Sequence, residues 1–201
     1  MYFAEEEMSS RRLFLGALGG LTLAEVSPGV GAANQRQTEQ EKYWLDSVLQ
    51  THDGKNVRFY TDLIRNKVVI VNAMYTVCTG VCPTNTAALV ALQDSLGDRI
   101  GKNIFIYSIS LQPDLDSAAA LKDYARKYGV KKGWTFLTGK SRDIELIRRK
   151  LGFYDSDPVA DANLSNHSGV FRVGNDLQNR WFMTPAATPT KQIVASVLNI
   201  V

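Results

Sequence analysis

The chain predicts an α/β fold, in which a mixed central sheet lies between helix layers and a β-hairpin comes late in the sequence. Three observations lead there. "KVVIVNAMY" (67–75) and "NIFIYSISL" (103–111) are unbroken apolar runs rich in β-branched residues, as in strands covered on both faces. A segment with helical apolar spacing follows each of them. "GVFRVGNDLQNRWFM" (169–183) then places two strand-like runs around a Gly174-Asn175-Asp176 turn signal.

The elements follow in order. "EKYWLDSVLQ" (41–50) is a short packing segment. Asp53-Gly54 marks a turn and "VRFY" (57–60) a short strand. After the first apolar strand comes the cysteine segment, and Pro83 suits the first turn of a helix because its missing N–H has no intrahelical acceptor there. That helix puts Ala88, Leu89, Leu92 and Leu96 on one face and stops at Gly97. "LDSAAALKDYARKYG" (115–129) is a helix capped by Asp116 or Ser117. "WTFLTG" (134–139) is strand-like, "SRDIELIRRKLGF" (141–153) is a helix capped by Ser141, and "PTKQIVASVLNIV" (189–201) closes the chain as a helix. Strand and helix alternate, so the core strands are parallel and the final hairpin is antiparallel. This is a thioredoxin-like three-layer order with an insertion, occupying 41–201 after a polar linker at 34–40.

Residues 1–33 read as an export signal. Ser10-Arg11-Arg12-Leu13-Phe14-Leu15 has the twin-arginine pattern, and the apolar run from Leu13 to Ala24 is too short for the roughly 20 residues that span a bilayer. Small residues at Val30-Gly31-Ala32-Ala33 suit cleavage after Ala32 or Ala33, and three glutamates before Met8 favour Met8 as the start. The expected location is the periplasm, with membrane association only through an uncleaved N-terminal segment. The net charge of +3 is mild and no basic run is dense enough to read as a nucleic-acid track. Without the two arginines and four glutamates of 1–33, the remainder carries +5.

The chain has two cysteines, Cys78 and Cys82 in "CTGVCP", and both lie between a buried strand and a helix entrance. Free N–H groups and partial positive charge at a helix N-terminus favour thiolate, which is both nucleophile and metal ligand. A disulfide closing so short a loop would be a weak staple. Two soft donors almost one helical turn apart suit Cu(I), and a Cys₄ zinc site is impossible with two cysteines. A third ligand would have to be a histidine. His52 in "THDGK" reads as an exposed turn residue. His167 in "LSNHSGVFRV" precedes a late strand and is the better candidate, as ligand or proton carrier. A redox-active dithiol, a redox sensor and a metal site all remain open on this pattern.

Cys78-Thr79-Gly80-Val81-Cys82-Pro83, with His167 at 85 positions beyond Cys82, resembles the Sco/SenC family of copper chaperones for cytochrome c oxidase. The resemblance extends through "ISLQPDLDSAAALKDYARKYG", "WTFLTG" and "NHSGVFRV", most of the chain beyond the linker. It implies one copper ion, Cu(I) or Cu(II), held by Cys78, Cys82 and His167. The implied partner is a copper-receiving oxidase subunit or other cuproprotein, with a copper donor or thiol reductase upstream. The alternative is a periplasmic thiol–disulfide oxidoreductase using Cys78 and Cys82 as its redox-active pair. The chain departs from the family at Leu111-Gln112-Pro113, where Val-Asp-Pro is usual, at Leu115, and at Asn166 before the histidine, where an acid is common. Met74, Trp44, Trp134 and Trp181 read as packing residues, Asp114 and Asp116 as helix caps, and Asp155 and Asp157 as loop carboxylates.

Overall fold

The computed structural model describes residues 39–167 and 169–201, excluding the side chains of Ser165 and His167. The expected signal at 1–33 and most of the expected linker at 34–40 lie outside the described residues. Helix is already present at 39–44, so the last two residues of the expected linker are helical.

Seven strands form one sheet in the order β2-β1-β5-β4-β3-β6-β7. They are β1 (Val48–Thr51), β2 (Asn56–Arg58), β3 (Val68–Met74), β4 (Ile104–Ser110), β5 (Trp134–Gly139), β6 (Val170–Asn175) and β7 (Arg180–Pro185). The strands β3, β4 and β5 are parallel, while β1, β6 and β7 join antiparallel. The sheet is mixed with a late hairpin, as the sequence predicts. After the helical segment at 39–44, the helices are α1 (Val81–Leu96), α2 (Ala118–Lys127), α3 (Ser141–Leu151), α4 (Pro158–Ala162) and α5 (Thr190–Leu198).

All seven residues of β3 are buried, and their alternation feeds two cores. Val68, Ile70 and Met74 join Leu89 and Leu92 of α1, Leu121 of α2 and Ile193 of α5. Val69, Val71 and Ala73 face the opposite layer, with Phe59, Ile64, Ile144, Ile147 and Trp44. Each fully buried aliphatic contributes roughly 1.5–3 kcal/mol. Ala88 is only half buried, although Leu89, Leu92 and Leu96 of the expected face are in the core.

Several expectations need correction. Phe59 and Tyr60 are not strand but open a wide helical turn, Phe59–Ile64, closed by Arg65 N–H donating to Tyr60 O. Asp46 decides this: its carboxylate accepts the N–H groups of Tyr60 and Thr61 at 3.0 and 2.9 Å and the Thr61 hydroxyl at 2.7 Å. The β6–β7 turn lies at 176–179, with Gly174 and Asn175 in the strand. Glycine is needed at 174 because a Cβ there would overlap the Trp181 ring. Trp181 in turn packs on Trp44, with ring centroids 4.6 Å apart. Lys140, rather than Ser141, occupies the N-cap position of α3, without a side-chain cap, and the Ser141 hydroxyl donates to Asp114. Ser117 caps α2 by accepting Ala120 N–H, and Asp116 serves elsewhere.

Candidate metal and redox site

Strand β3 ends at Met74, whose carbonyl accepts Leu111 N–H, so the loop after β3 and the loop after β4 start side by side. The first loop carries Cys78. Its N–H donates to Tyr75 O at 3.3 Å, turning the chain toward Gly80 and the start of α1. Cys82 is the second residue of α1, and Pro83 the third. Both cysteines are thiols rather than a disulfide, and both are buried, Cys78 9% and Cys82 1% exposed.

The two thiols are in hydrogen-bond contact. Burial pushes the Cys78 thiol up, but hydrogen bonds from the Cys82 side chain, the Tyr75 phenol and the backbone N–H groups of Cys82 and Gly80 outweigh it and leave it lowered. Tyr75 is correspondingly pushed up to about 12, chiefly by its hydrogen bond to Cys78, so it stays a proton donor. The helix entrance thus supplies donors to sulfur as the sequence predicts, and Tyr75 adds one that spacing did not reveal.

The buried carboxyl of Asp116, 0% exposed, holds the loop from behind. It accepts the Thr76 N–H at 3.1 and 3.3 Å, the Thr76 hydroxyl, and the Ser110 hydroxyl at 2.5 Å. Asp116 is 40 residues from Thr76 in sequence, beyond the reach of a local motif.

His167 ends a short 3-10 turn, Leu164–His167, three residues before β6. Because β6 runs antiparallel to β3 with Phe171 opposite Asn72, the chain enters β6 at the end of β3 where the cysteine loop leaves. The His167 side chain itself lies outside the described residues. Among the described residues no group of three His, Cys, Asp or Glu side chains could hold a metal. His52 lies in the turn after β1 as expected, but it is half-buried rather than exposed. Its Nδ1 accepts Phe136 N–H at 3.0 Å and its side chain is 15% exposed, so it is committed to pairing β1 with β5. Met74 and Trp134 are core residues, and Trp134 Nε1 donates to Ser108 at 2.9 Å. Asp157 caps α4, and Asp155 accepts Asp157 N–H.

A cleft of about 490 Å³ opens between the loop after β4 and the α3–α4 insertion, with Gln112, Leu115, Glu145, Arg148 and Leu164 in its walls. Its base is a buried ion-pair network. Arg148 donates to both carboxylate oxygens of Asp161, at 2.9 and 2.7 Å, and to Phe153 O at 2.9 Å. These contacts tie to α3 the segment that leads into the Leu164–His167 turn.

A parallel αβ core extended by antiparallel strands, with a buried dithiol at the junction of its central strand and first helix, defines a thioredoxin-like dithiol protein. A family model described as SCO1/SenC matches residues 35–201, and the chain belongs to that family. A SCO1 protein homolog from Bacillus subtilis (strain 168) is 29% identical over 131 residues, which is 63% of this chain and 66% of that protein. BsSco, described as a member of the Sco family of cytochrome c oxidase assembly proteins with a disulfide switch, is 25% identical with a TM-score of 0.61, covering 76% of this chain and 90% of that one. Arabidopsis thaliana ScoI with copper bound has the same fold, with a TM-score of 0.59 at 20% identity, covering 76% and 93% of the two chains.

Proposed function

We propose that this protein is an exported copper metallochaperone. Cys78, Cys82 and His167 bind one copper ion, as Cu(I) or Cu(II), and the protein passes it to, or prepares, the copper A centre of a terminal oxidase or a similar cuproprotein. The observation that carries the reading is the pair of buried thiols in mutual contact at the start of α1, beneath amide and phenol donors. Thiolates are soft ligands suited to Cu(I), and an imidazole serves either oxidation state. Family membership supports the reading, as do the copper bound to Arabidopsis ScoI and the oxidase-assembly role of the family that includes BsSco. Export rests on Arg11-Arg12 and the apolar run after them. No helix among the described residues is long and apolar enough to cross a membrane.

Copper titration of the reduced protein tests this, wild type against His167→Ala. Loss of the histidine should weaken binding and change the copper spectrum, and an unchanged affinity and spectrum would refute the three-ligand site. Binding should also weaken on acidification, because thiolates and imidazole must release protons.

The contact between the thiols also supports a second reading, a thiol–disulfide oxidoreductase. The Cys78 thiolate would attack a partner disulfide to form a mixed disulfide and release one partner thiolate. The Cys82 thiolate would then displace the second, leaving Cys78–Cys82 oxidised and the partner reduced by two electrons. Disulfide reduction that survives His167→Ala and turns over with a dithiol reductant favours this reading over copper delivery.

A further inference from the structure

We propose that Asp116 is the positioning residue of the cysteine loop, setting the geometry of Cys78 and Cys82 through Thr76. The proposal deepens the copper reading and rests on Cys78 and Cys82 as its ligands.

Three features carry it. First, Asp116 is fully buried although it lies in the loop after β4, where its neighbours Asp114 and Leu115 are exposed. No ion pair to Lys or Arg reaches it among the described residues. Burying a carboxyl is unfavourable unless its acceptor sites are filled. Here they are filled by donors aimed at them. Gln112 N–H donates to the Ser110 hydroxyl at 3.0 Å, so that hydroxyl turns its own proton to Asp116.

Second, Thr76 offers both of its polar protons to Asp116, from N–H and from hydroxyl. Thr76 stands two positions before Cys78, with only the exposed Val77 between them. The loop is therefore pinned at its start by Asp116 and at its end by α1. Cys78 sits in the short stretch between these two fixed points.

Third, Asp116 is itself rigidly placed. Its N–H donates to Gln112 O at 2.8 Å, and Ser117, the next residue, caps α2. The cysteine loop is thus referenced to β4 and α2 as well as to its own strand. Helix capping does not account for this carboxyl, because Ser117 performs it.

The test uses the full chain with Asp116→Asn, Thr76→Val and the double variant, and with Cys78→Ala as reference. Two quantities are read: Cu(I) affinity, by competition with a chromophoric Cu(I) chelator, and the Cys78–Cys82 dithiol–disulfide equilibrium against glutathione. Asparagine keeps the shape but has one acceptor oxygen for donors that now use two. Asp116→Asn should weaken Cu(I) binding by about tenfold, the scale at which supports behind a ligand act. It should also shift the dithiol–disulfide equilibrium, which a purely structural carboxyl would leave in place. Thr76→Val should reproduce much of both effects, and the double variant should be no worse than Asp116→Asn, since the two act as one unit. Where Asp116→Asn does not fold, Thr76→Val decides alone. Wild-type values of both quantities in a folded Asp116→Asn or, failing that, Thr76→Val would overturn the proposal. Cu(I) binding unchanged in Cys78→Ala would instead refute the copper reading, and the glutathione equilibrium would still judge Asp116.

Discussion

Replacing Asp161 by asparagine should destabilise the protein by about 3 kcal/mol. The side chains of Arg148 and Asp161 are 9% and 7% exposed, and Asp161 also accepts Arg149 Nη2 at 2.8 Å and Asp155 N–H at 2.8 Å. Removing one partner of a buried pair costs about 3–5 kcal/mol, because the other charge stays buried and unpaired. Arg148 would keep Glu145, a contact that is more exposed, so the low end applies. At ~2–4 °C per kcal/mol for a chain of this size, the melting temperature should fall by roughly 6–12 °C at pH 7, followed by far-UV circular dichroism. The pH dependence has a definite sign. The Arg148 hydrogen bonds, aided by Asp155 N–H and opposed by burial, hold the Asp161 carboxyl well below the usual range. A depressed carboxyl contributes stability above its unfolded value of about 3.9, and that contribution is lost as pH falls through the folded value. The gap between wild type and variant should therefore be constant down to about pH 5 and narrow below about pH 4. Melting within about 1 °C of wild type at neutral pH, or a gap that persists unchanged in acid, would refute the reasoning.

Two further outcomes follow from the geometry. Tyr75→Phe removes the phenol donor to Cys78, so the pH midpoint of Cys78 alkylation should rise toward the ordinary thiol value, measured with iodoacetamide on a Cys82→Ala background with and without the Tyr75→Phe substitution. An unmoved midpoint would show that the backbone N–H groups suffice. Gly174→Ala places a methyl group against the Trp181 ring and should lower stability by about 1–3 kcal/mol in urea titration, with Trp fluorescence reporting the displaced ring.

Much of the architecture was legible because it depends on short-range pattern. The apolar runs that became β3 and β4 are buried on both faces, so their composition needed no partner to interpret. The helix after the cysteines was readable from Pro83, the Leu89–Leu92–Leu96 spacing and Gly97. Two of the departures have one cause, a residue from another segment overriding a local preference. Asp46 turns the β-prone Phe59–Tyr60 into a helical turn, and Phe136 N–H bonds His52 in the turn after β1 and so draws its ring out of solvent.

Residue identity and short-range spacing set the chemistry on offer: two soft thiols at a strand–helix junction, a downstream histidine before a late strand, and the alternation that builds a parallel core. Each of these is contained within one or two elements. Packing between distant segments made the other assignments. It gave Asp116 to the cysteine loop rather than to a helix end, and locked the insertion leading into the Leu164–His167 turn through Arg148 and Asp161. The physical reason is that a buried polar group takes the partners that packing brings to it. The sheet order and the loops at the carboxyl ends of β3 and β4 choose those partners from residues far apart along the chain.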